Sequence, residues 1–230
     1  MIARIVPVVA AVVLALGCAK TEPKAAAATQ SSTDIPPPPL GTDVTTPAIV
    51  FLGTSLTAGL GLDPEQAYPA IIQQKLDSAR LDYRVVNAGV SGETSAGARR
   101  RLEWLLRQPV AVLVIETGAN DGLRGEDPDS VRANIQAIID GARSRGPASR
   151  IILAGMEAPP NFGPNYVRRF HAIYPDLARA NRVAFVPFLL RDVAGIDSLN
   201  QADGIHPTAA GQRIVAKNVW TVLEGVLRQQ

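Results

Sequence analysis

The chain has 230 residues, of which 47% are hydrophobic and 19% charged, and its formal net charge is +2. It is too apolar for a disordered chain and long enough for one domain with a sizeable core. The small net charge gives no indication of a nucleic-acid-binding surface, so we expect no nucleic-acid partner. The basic run Arg99-Arg100-Arg101 lies in a helical pattern beside Glu103 and Trp104, which favours a solvated helix face over a binding patch.

The N-terminus has the pattern of an export signal. Arg4 precedes an apolar stretch that is too short to span a bilayer comfortably and ends near Cys18, the single cysteine of the chain. A small residue directly before this cysteine is typical of a bacterial lipobox, so we predict a signal peptide over residues 1–18 and a lipid on Cys18. Because Ala15 stands where the strictest motif has Leu, a secretory leader cleaved near Ala19 or later is the alternative. Both predict an exported protein of the cell envelope or periplasm.

Residues 19–46 are rich in Ala, Ser and Pro. Four alanines at 25–28 and four prolines at 36–39 show no apolar periodicity, which is typical of an extended segment without a core. We therefore predict a disordered tether here and a folded domain over residues 47–230. A lipid on Cys18 would anchor that domain to a membrane through this tether.

Short apolar runs alternate with amphipathic ones from Ala48 onward. The runs 48–52, 83–87, 110–115, 151–154 and 183–187 are typical of strands in a parallel sheet with both faces covered, and a last helix is predicted from about Pro207. This alternation predicts a three-layer α/β/α sandwich with a five-stranded parallel sheet in the flavodoxin-like order 2-1-3-4-5. Sites in such sheets lie at the carboxyl ends of the strands. Ser55, Gly89 and Asn120 follow the first three strands, so we expect them at one edge.

The chain holds the groups that hydrolytic acyl transfer needs. Ser55 offers a hydroxyl nucleophile, and Asp203-Gly204-Ile205-His206-Pro207 offers an imidazole and a carboxylate to orient it. The negative oxygen of the tetrahedral intermediate needs hydrogen-bond donors, which the N–H groups of Ser55 and Gly89 and the side-chain amide of Asn120 can supply. Each residue alone is also common in loops. Their combination predicts an esterase.

Four segments in this order resemble the SGNH (GDSL-type) hydrolases over about residues 48–228: Gly53-Thr54-Ser55-Leu56, Gly89, Gly118-Ala119-Asn120-Asp121 and Asp203-Gly204-Ile205-His206. The longer stretches 55–59, 120–125 and 203–207 are similar to the subgroup of bacterial thioesterase I, lysophospholipase L1 and arylesterase. The resemblance implies Ser55 as nucleophile, His206 as general base and then acid, and Asp203 as its orienting carboxylate. It also implies an oxyanion hole of Ser55, Gly89 and Asn120, with no metal or cofactor.

Thr54 departs from the family pattern, which has Asp before the serine. Threonine carries no charge, so any electrostatic help from that carboxylate is absent. The nucleophile is unchanged, and we therefore predict retained activity with an altered pH profile. Glu93 and Glu116 flank the site segments, where solvated or hydrogen-bonded carboxylates are commoner than catalytic ones.

The substrate is expected to be a small-molecule ester with a short to medium acyl or aryl group, or a lysophospholipid or thioester, and the enzyme is expected to be a monomer. The loop over residues 156–164 is proline-rich and partly apolar, so we predict that Pro159, Asn161 and Phe162 contact the substrate together with Leu123; a rigid connector is the alternative. A deacetylase of cell-surface polysaccharide would use the same catalytic set. A flavodoxin-like module that binds phosphate or flavin at the Ser55 turn is the non-enzymatic alternative.

Overall fold

The computed structural model of the protein describes residues 46–145 and 150–228. The predicted signal peptide, Cys18 and the tether, apart from its last residue, lie outside these ranges. Within them, no helix is both long enough and apolar enough to cross a lipid bilayer.

Five parallel strands form one sheet in the order β2-β1-β3-β4-β5, which confirms the predicted fold class and strand order. The strands are β1 (Ala48–Gly53), β2 (Arg84–Gly89), β3 (Val110–Ile115), β4 (Arg150–Ala154) and β5 (Ala184–Val186). Every residue of β1 is buried, because helices cover both faces of the sheet, and this explains the continuous apolar runs of the strands.

The helices are α1 (Ser55–Ala58), α2 (Tyr68–Ser78), α3 (Ser95–Leu105), α4 (Ala119–Arg124), α5 (Pro128–Arg145), α6 (Gly163–Asn181) and α7 (Ala209–Arg228). Helix α2 packs on α7, and α5 packs between α3 and α6. The last helix begins at Ala209 and not at Pro207, because Pro207 forms a bridge with Asn200 in the preceding loop. Short 3₁₀ turns lie at Pro64–Gln66, Pro160–Phe162 and Asp197–Leu199.

The register of the sheet brings the carboxyl ends of the neighbouring strands β2, β1 and β3 together. Gly53 at the end of β1 lies opposite Gly89 at the end of β2, and Leu52 lies opposite Ile115 at the end of β3. The segments that leave these three ends therefore start side by side at one edge of the sheet. This edge carries the residues that the sequence singles out.

Candidate active site

Ser55, His206 and Asp203 form a hydrogen-bonded line at the carboxyl edge of the sheet. Ser55 Oγ lies 2.8 Å from His206 Nε2, and His206 Nδ1 lies 2.6 Å from Asp203 Oδ2. An imidazole that is held by a carboxylate on one nitrogen can accept a proton from a hydroxyl on the other. The structure thus brings together three groups from opposite ends of the domain in the order that acyl transfer requires.

A single turn presents both Asp203 and His206. Asp203 Oδ1 accepts hydrogen bonds from the backbone N–H groups of His206, at 3.0 Å, and Ile205, at 2.9 Å. These N–H groups, with the imidazole, stabilise the ionised carboxyl, and the His206 N–H contributes most to holding the pKa of Asp203 well below its ordinary value. Gln201 fixes this turn, since its side-chain amide donates to the Leu60 carbonyl at 2.8 Å and to the Pro207 carbonyl at 3.0 Å. Asp203 is therefore held close to the imidazole as a carboxylate.

Ser55 is the first residue of α1, a helix of a single turn. Thr54 caps this helix with its hydroxyl, which accepts a hydrogen bond from the Leu56 N–H at 3.4 Å. The N–H of a first helical residue has no acceptor within its own helix, so the Ser55 N–H can serve a ligand. Gln212 of α7 holds the turn from the other side by donating to the Leu56 carbonyl at 3.1 Å.

Glu116 follows β3 directly and is fully buried beside the Ser55 turn. Its carboxylate accepts hydrogen bonds from the Thr54 N–H at 2.7 Å, the Thr54 hydroxyl at 3.0 Å and the Thr57 hydroxyl at 2.8 Å. Burial raises the pKa of Glu116 to about 7, although these donors oppose the shift. Glu116 is hydrogen-bonded, as expected. Its burial could have been suspected from its place at the end of a continuous apolar strand.

Gly89 lies at the end of β2, pressed against α1. A Cβ atom on Gly89 would lie 2.3 Å from the backbone nitrogen of Ala58 and 2.8 Å from the Thr54 carbonyl oxygen, so only glycine fits here. In the resting site, the Gly89 N–H donates to Asn87 Oδ1 at 3.0 Å. Gly89 is therefore placed beside the serine turn, and its N–H already has an acceptor that a substrate oxygen must share or replace.

Asn120 stands in the first turn of α4. Its side-chain amide donates one hydrogen bond to the Glu93 carbonyl at 3.0 Å, which leaves its second N–H for another acceptor. The neighbouring Asp121 is buried and accepts from the Ser95 N–H at 2.8 Å and the Ser95 hydroxyl at 2.6 Å. Asp121 thereby docks α4 on the start of α3, and this fixes the position of Asn120.

The prediction of a solvated face is wrong for Arg101. Arg99 and Arg100 are exposed, but the Arg101 side chain is only 14% exposed and forms an ion pair with Glu93. Arg101 shares its face of α3 with the buried residues Gly97, Ala98 and Leu105, because residues three or four apart lie on one side of a helix. That spacing was the available signal for its burial.

The predicted substrate residues lie on two segments beside the site. Leu123 in α4 and Phe162 in the loop after β4 are 43% and 39% exposed, so both present apolar surface to solvent. The Phe162 ring packs over Gly125 at the end of α4, and this brings the loop against the helix that carries Asn120. Pro159 is half-buried and Asn161 is exposed in the same loop. Their contacts with substrate stay a prediction.

A model of the GDSL-like Lipase/Acylhydrolase family matches residues 51–214. The chain belongs to this family. This GDSL-like acylhydrolase is 42% identical over 180 residues to Esterase TesA of Pseudomonas aeruginosa, a match that covers 78% of the chain and 89% of the relative. It is 36% identical over 170 residues to Thioesterase 1/protease 1/lysophospholipase L1 of Escherichia coli K12, covering 73% and 79%.

Solved structures share its fold. The psychrotrophic esterase EstA from Pseudoalteromonas sp., in a structure inhibited by monoethylphosphonate, matches with a TM-score of 0.74 and 32% identity over 79% of this chain and 99% of EstA. The expected family and the expected enzyme class are confirmed, and the GDSL-like acylhydrolase is a serine ester hydrolase. Family membership leaves no support for the flavodoxin-like binding module.

Proposed function

We propose that Ser55 is the nucleophile that forms the acyl-enzyme, with His206 as its general base and Asp203 as the carboxylate that orients His206. The observation that carries the proposal is the line of hydrogen bonds from Ser55 Oγ to His206 Nε2, at 2.8 Å, and from His206 Nδ1 to Asp203 Oδ2, at 2.6 Å. As Oγ attacks the carbonyl carbon, Nε2 takes its proton and then gives it to the leaving alcohol when the ester C–O bond breaks. His206 next takes a proton from water as the water oxygen attacks the acyl carbon. It then returns this proton to Ser55 Oγ when the bond between Oγ and the acyl carbon breaks, which releases the carboxylic acid.

Three donors are proposed to hold the negative oxygen of the tetrahedral intermediate. They are the N–H groups of Ser55 and Gly89 and the side-chain amide of Asn120. Removing one such donor typically lowers turnover by ~10²–10³-fold, because it stabilises charge only where charge develops. The Gly89 N–H donates to Asn87 Oδ1 at 3.0 Å in the resting site, so we expect the oxyanion to compete for this donor.

The proposed substrates are carboxylic esters with short to medium acyl groups or aryl groups. The exposed apolar side chains of Leu123 and Phe162 support this, because they offer an apolar surface on segments that adjoin Asn120. Lysophospholipids and thioesters are further candidates, in line with the names of the relatives. Pro159 and Asn161 are proposed to complete the wall of this surface.

We further propose that the enzyme is a monomer. We also propose that it is exported, acts in the cell envelope or periplasm and is anchored to a membrane by a lipid on Cys18. Export and anchoring are supported by the sequence pattern before Cys18 and by the Ala/Ser/Pro-rich composition of residues 19–46. Acyl-CoA is cytoplasmic, and this location therefore favours esters or lysophospholipids over acyl-CoA as physiological substrates.

Covalent labelling with a fluorophosphonate tests the proposal directly. We expect stoichiometric modification of the peptide that contains Ser55 and complete loss of labelling and hydrolysis in Ser55→Ala. Rates on p-nitrophenyl esters of graded chain length, compared with acetate release from an acetylated polysaccharide, then separate an esterase from a polysaccharide deacetylase. Wild-type protein that stays unlabelled and hydrolyses no ester would overturn the proposed roles.

A further inference from the structure

Arg101 contacts two of the segments that carry the proposed oxyanion donors and reaches the third through Glu93. Its Nη2 donates to the Ala88 carbonyl at 2.7 Å, and a longer contact of 3.2 Å reaches the Gly53 carbonyl. Because Nη2 has two N–H groups and also bonds Glu93, Arg101 shares one of these groups between two acceptors. Its Nε and Nη2 bind the two carboxylate oxygens of Glu93, each at 2.7 Å. Gly53 lies two residues before Ser55, Ala88 directly precedes Gly89, and the Glu93 carbonyl accepts the amide of Asn120 at 3.0 Å.

We propose that Arg101 is a positioning residue for the oxyanion hole. The inference rests on the proposed function, since it concerns donors that function only in ester hydrolysis. A guanidinium is suited to this place because it presents several N–H groups in a fixed plane and stays charged. Its fork-shaped pairing with a carboxylate is rigid as well as strong, so Glu93 holds the guanidinium in one orientation.

The contact with Ala88 sets the direction of the Gly89 N–H. The Ala88 carbonyl and the Gly89 N–H belong to one planar trans peptide unit, in which the two groups point in opposite directions. A carbonyl that is drawn to Arg101 therefore turns the N–H away from α3. The charged donor also polarises this peptide unit and strengthens its N–H as a donor.

The contact with Glu93 sets the position of Asn120. Arg101 binds the Glu93 side chain, and the Glu93 backbone carbonyl holds the Asn120 amide, so the guanidinium reaches Asn120 through one residue. Arg101 and Glu93 are 14% and 10% exposed in their side chains, and solvent screens this pair little. Arg101 therefore helps to position both the donor from β2 and the donor from α4.

Arg101→Lys tests the inference, because lysine keeps the charge but loses the planar fork. We expect kcat for a p-nitrophenyl ester to fall about 10- to 100-fold, less than for outright loss of a donor, with KM changed less than about twofold. A boronic acid that forms a tetrahedral adduct on Ser55 should bind more weakly by a similar factor, whereas a carboxylate product should bind as before. A purely structural role would not separate these two inhibitors.

Two control variants define the comparison. Arg100→Gln lies on the exposed face of the same helix and should leave kcat and both inhibition constants unchanged. Val219→Ala removes buried methyl groups from α7 and should lower the thermal midpoint while kcat of the folded protein is retained. Kinetic loss in Arg101→Lys that matches a loss of folded protein, as in a destabilised control, would count against the inference.

A second variant covers the case in which Arg101→Lys does not fold. Glu93→Gln removes the charge of the pair and one of the two acceptors of the fork, while the Gly53 and Ala88 carbonyls are still present to bind Arg101. We therefore expect a smaller loss of kcat and a parallel weakening of boronate binding. Wild-type kcat and boronate affinity in the folded variants would overturn the inference. If wild-type enzyme were active and labelled at Ser55 in that case, the proposed function would still hold; an inactive, unlabelled wild type would instead refute the proposed function.

Discussion

Glu116 places an ionisable group next to the nucleophile without exposing it to solvent. Its carboxylate touches Thr54 and Thr57, the residues one before and two after Ser55. Three donors satisfy the carboxylate, but burial outweighs them and raises its pKa to about 7. The position before the serine lacks the carboxylate that the family name implies, yet a carboxylate from the end of β3 lies against the same turn.

The raised pKa of Glu116 predicts how stability depends on pH. Between pH 4.5, the ordinary pKa, and about 7, the folded chain keeps a proton that the unfolded chain releases, so the free energy of unfolding falls as pH rises. The decrease in the free energy of unfolding begins near pH 4.5 and is complete above about pH 7. The linkage relation gives a total decrease of roughly 3 kcal/mol. Glu116→Gln removes the titration and can still hydrogen-bond Thr54 and Thr57. We expect it to gain about 2–3 kcal/mol relative to wild type from pH 4.5 to 8 in urea unfolding.

The titration of Asp203 does not affect this comparison of stabilities. Its pKa is held below the ordinary value, so the stability that it contributes is lost only as the medium becomes more acidic than the pH range compared. Wild type and Glu116→Gln share that loss. Stability curves of the two proteins that run parallel from pH 4.5 to 8 would show that Glu116 does not titrate there.

At the scale of elements, the sheet could be predicted from sequence because its strands are covered on both faces and therefore read as continuous apolar runs. Strand order then placed Ser55, Gly89 and Asn120 at one edge, since parallel strands end on the same side. The hydrogen-bond network around Glu116 and Arg101 could not be predicted in the same way, although their positions in the sequence carry a signal for burial. The network depends on partners from other elements, the threonines of the α1 turn for Glu116 and the carbonyls of Gly53 and Ala88 for Arg101.

The contact between β2 and α1 predicts the effect of Gly89→Ala. The added Cβ would lie 2.3 Å from the Ala58 nitrogen, a backbone atom that cannot rotate away, so β2 and α1 must separate. Because α1 begins with Ser55, the separation should move Oγ relative to His206, and a displacement near 1 Å can cost ~10²-fold in rate. We expect kcat to fall by about that factor and stability by ~1–3 kcal/mol, measured by ester hydrolysis and urea unfolding.

Gly225→Ala is the matched control for this substitution. Gly225 is exposed within α7, and a Cβ there would meet nothing within 4 Å. Alanine favours the helix over glycine by ~0.5–1 kcal/mol, so this variant should be slightly more stable with unchanged kcat. Full activity in Gly89→Ala would mean that the two elements tolerate the added methyl group and that the close contact does not position Ser55.

At the scale of the whole molecule, the chain enters the domain far from its active site. β1 starts at Ala48 and ends at Gly53, and a strand of this length separates its two ends by ~17 Å. The entry point and Ser55 therefore lie at opposite edges of the sheet. If residues 19–46 form the proposed tether, an extended chain of that length would span ~90 Å, about twice the diameter of a domain of this size, ~40 Å. An anchored enzyme could then turn its active site toward the membrane.

Cys18→Ser tests the anchor. Wild-type protein should incorporate radiolabelled palmitate and sediment with membranes, whereas Cys18→Ser should carry no label and move to the soluble fraction, because serine has no thiol to receive the lipid. Hydrolysis of a soluble p-nitrophenyl ester should be equal in both, since Cys18 lies outside residues 51–214, which the family model matches. Hydrolysis of a lysophospholipid in vesicles should fall when the enzyme no longer resides on a membrane. Ser55→Ala, which keeps Cys18, should sediment like wild type and hydrolyse neither substrate.

Soluble, unlabelled wild-type protein in the periplasm would favour the secretory leader cleaved near Ala19 and refute the lipid anchor. The roles of Ser55 and His206 would not be affected by that result.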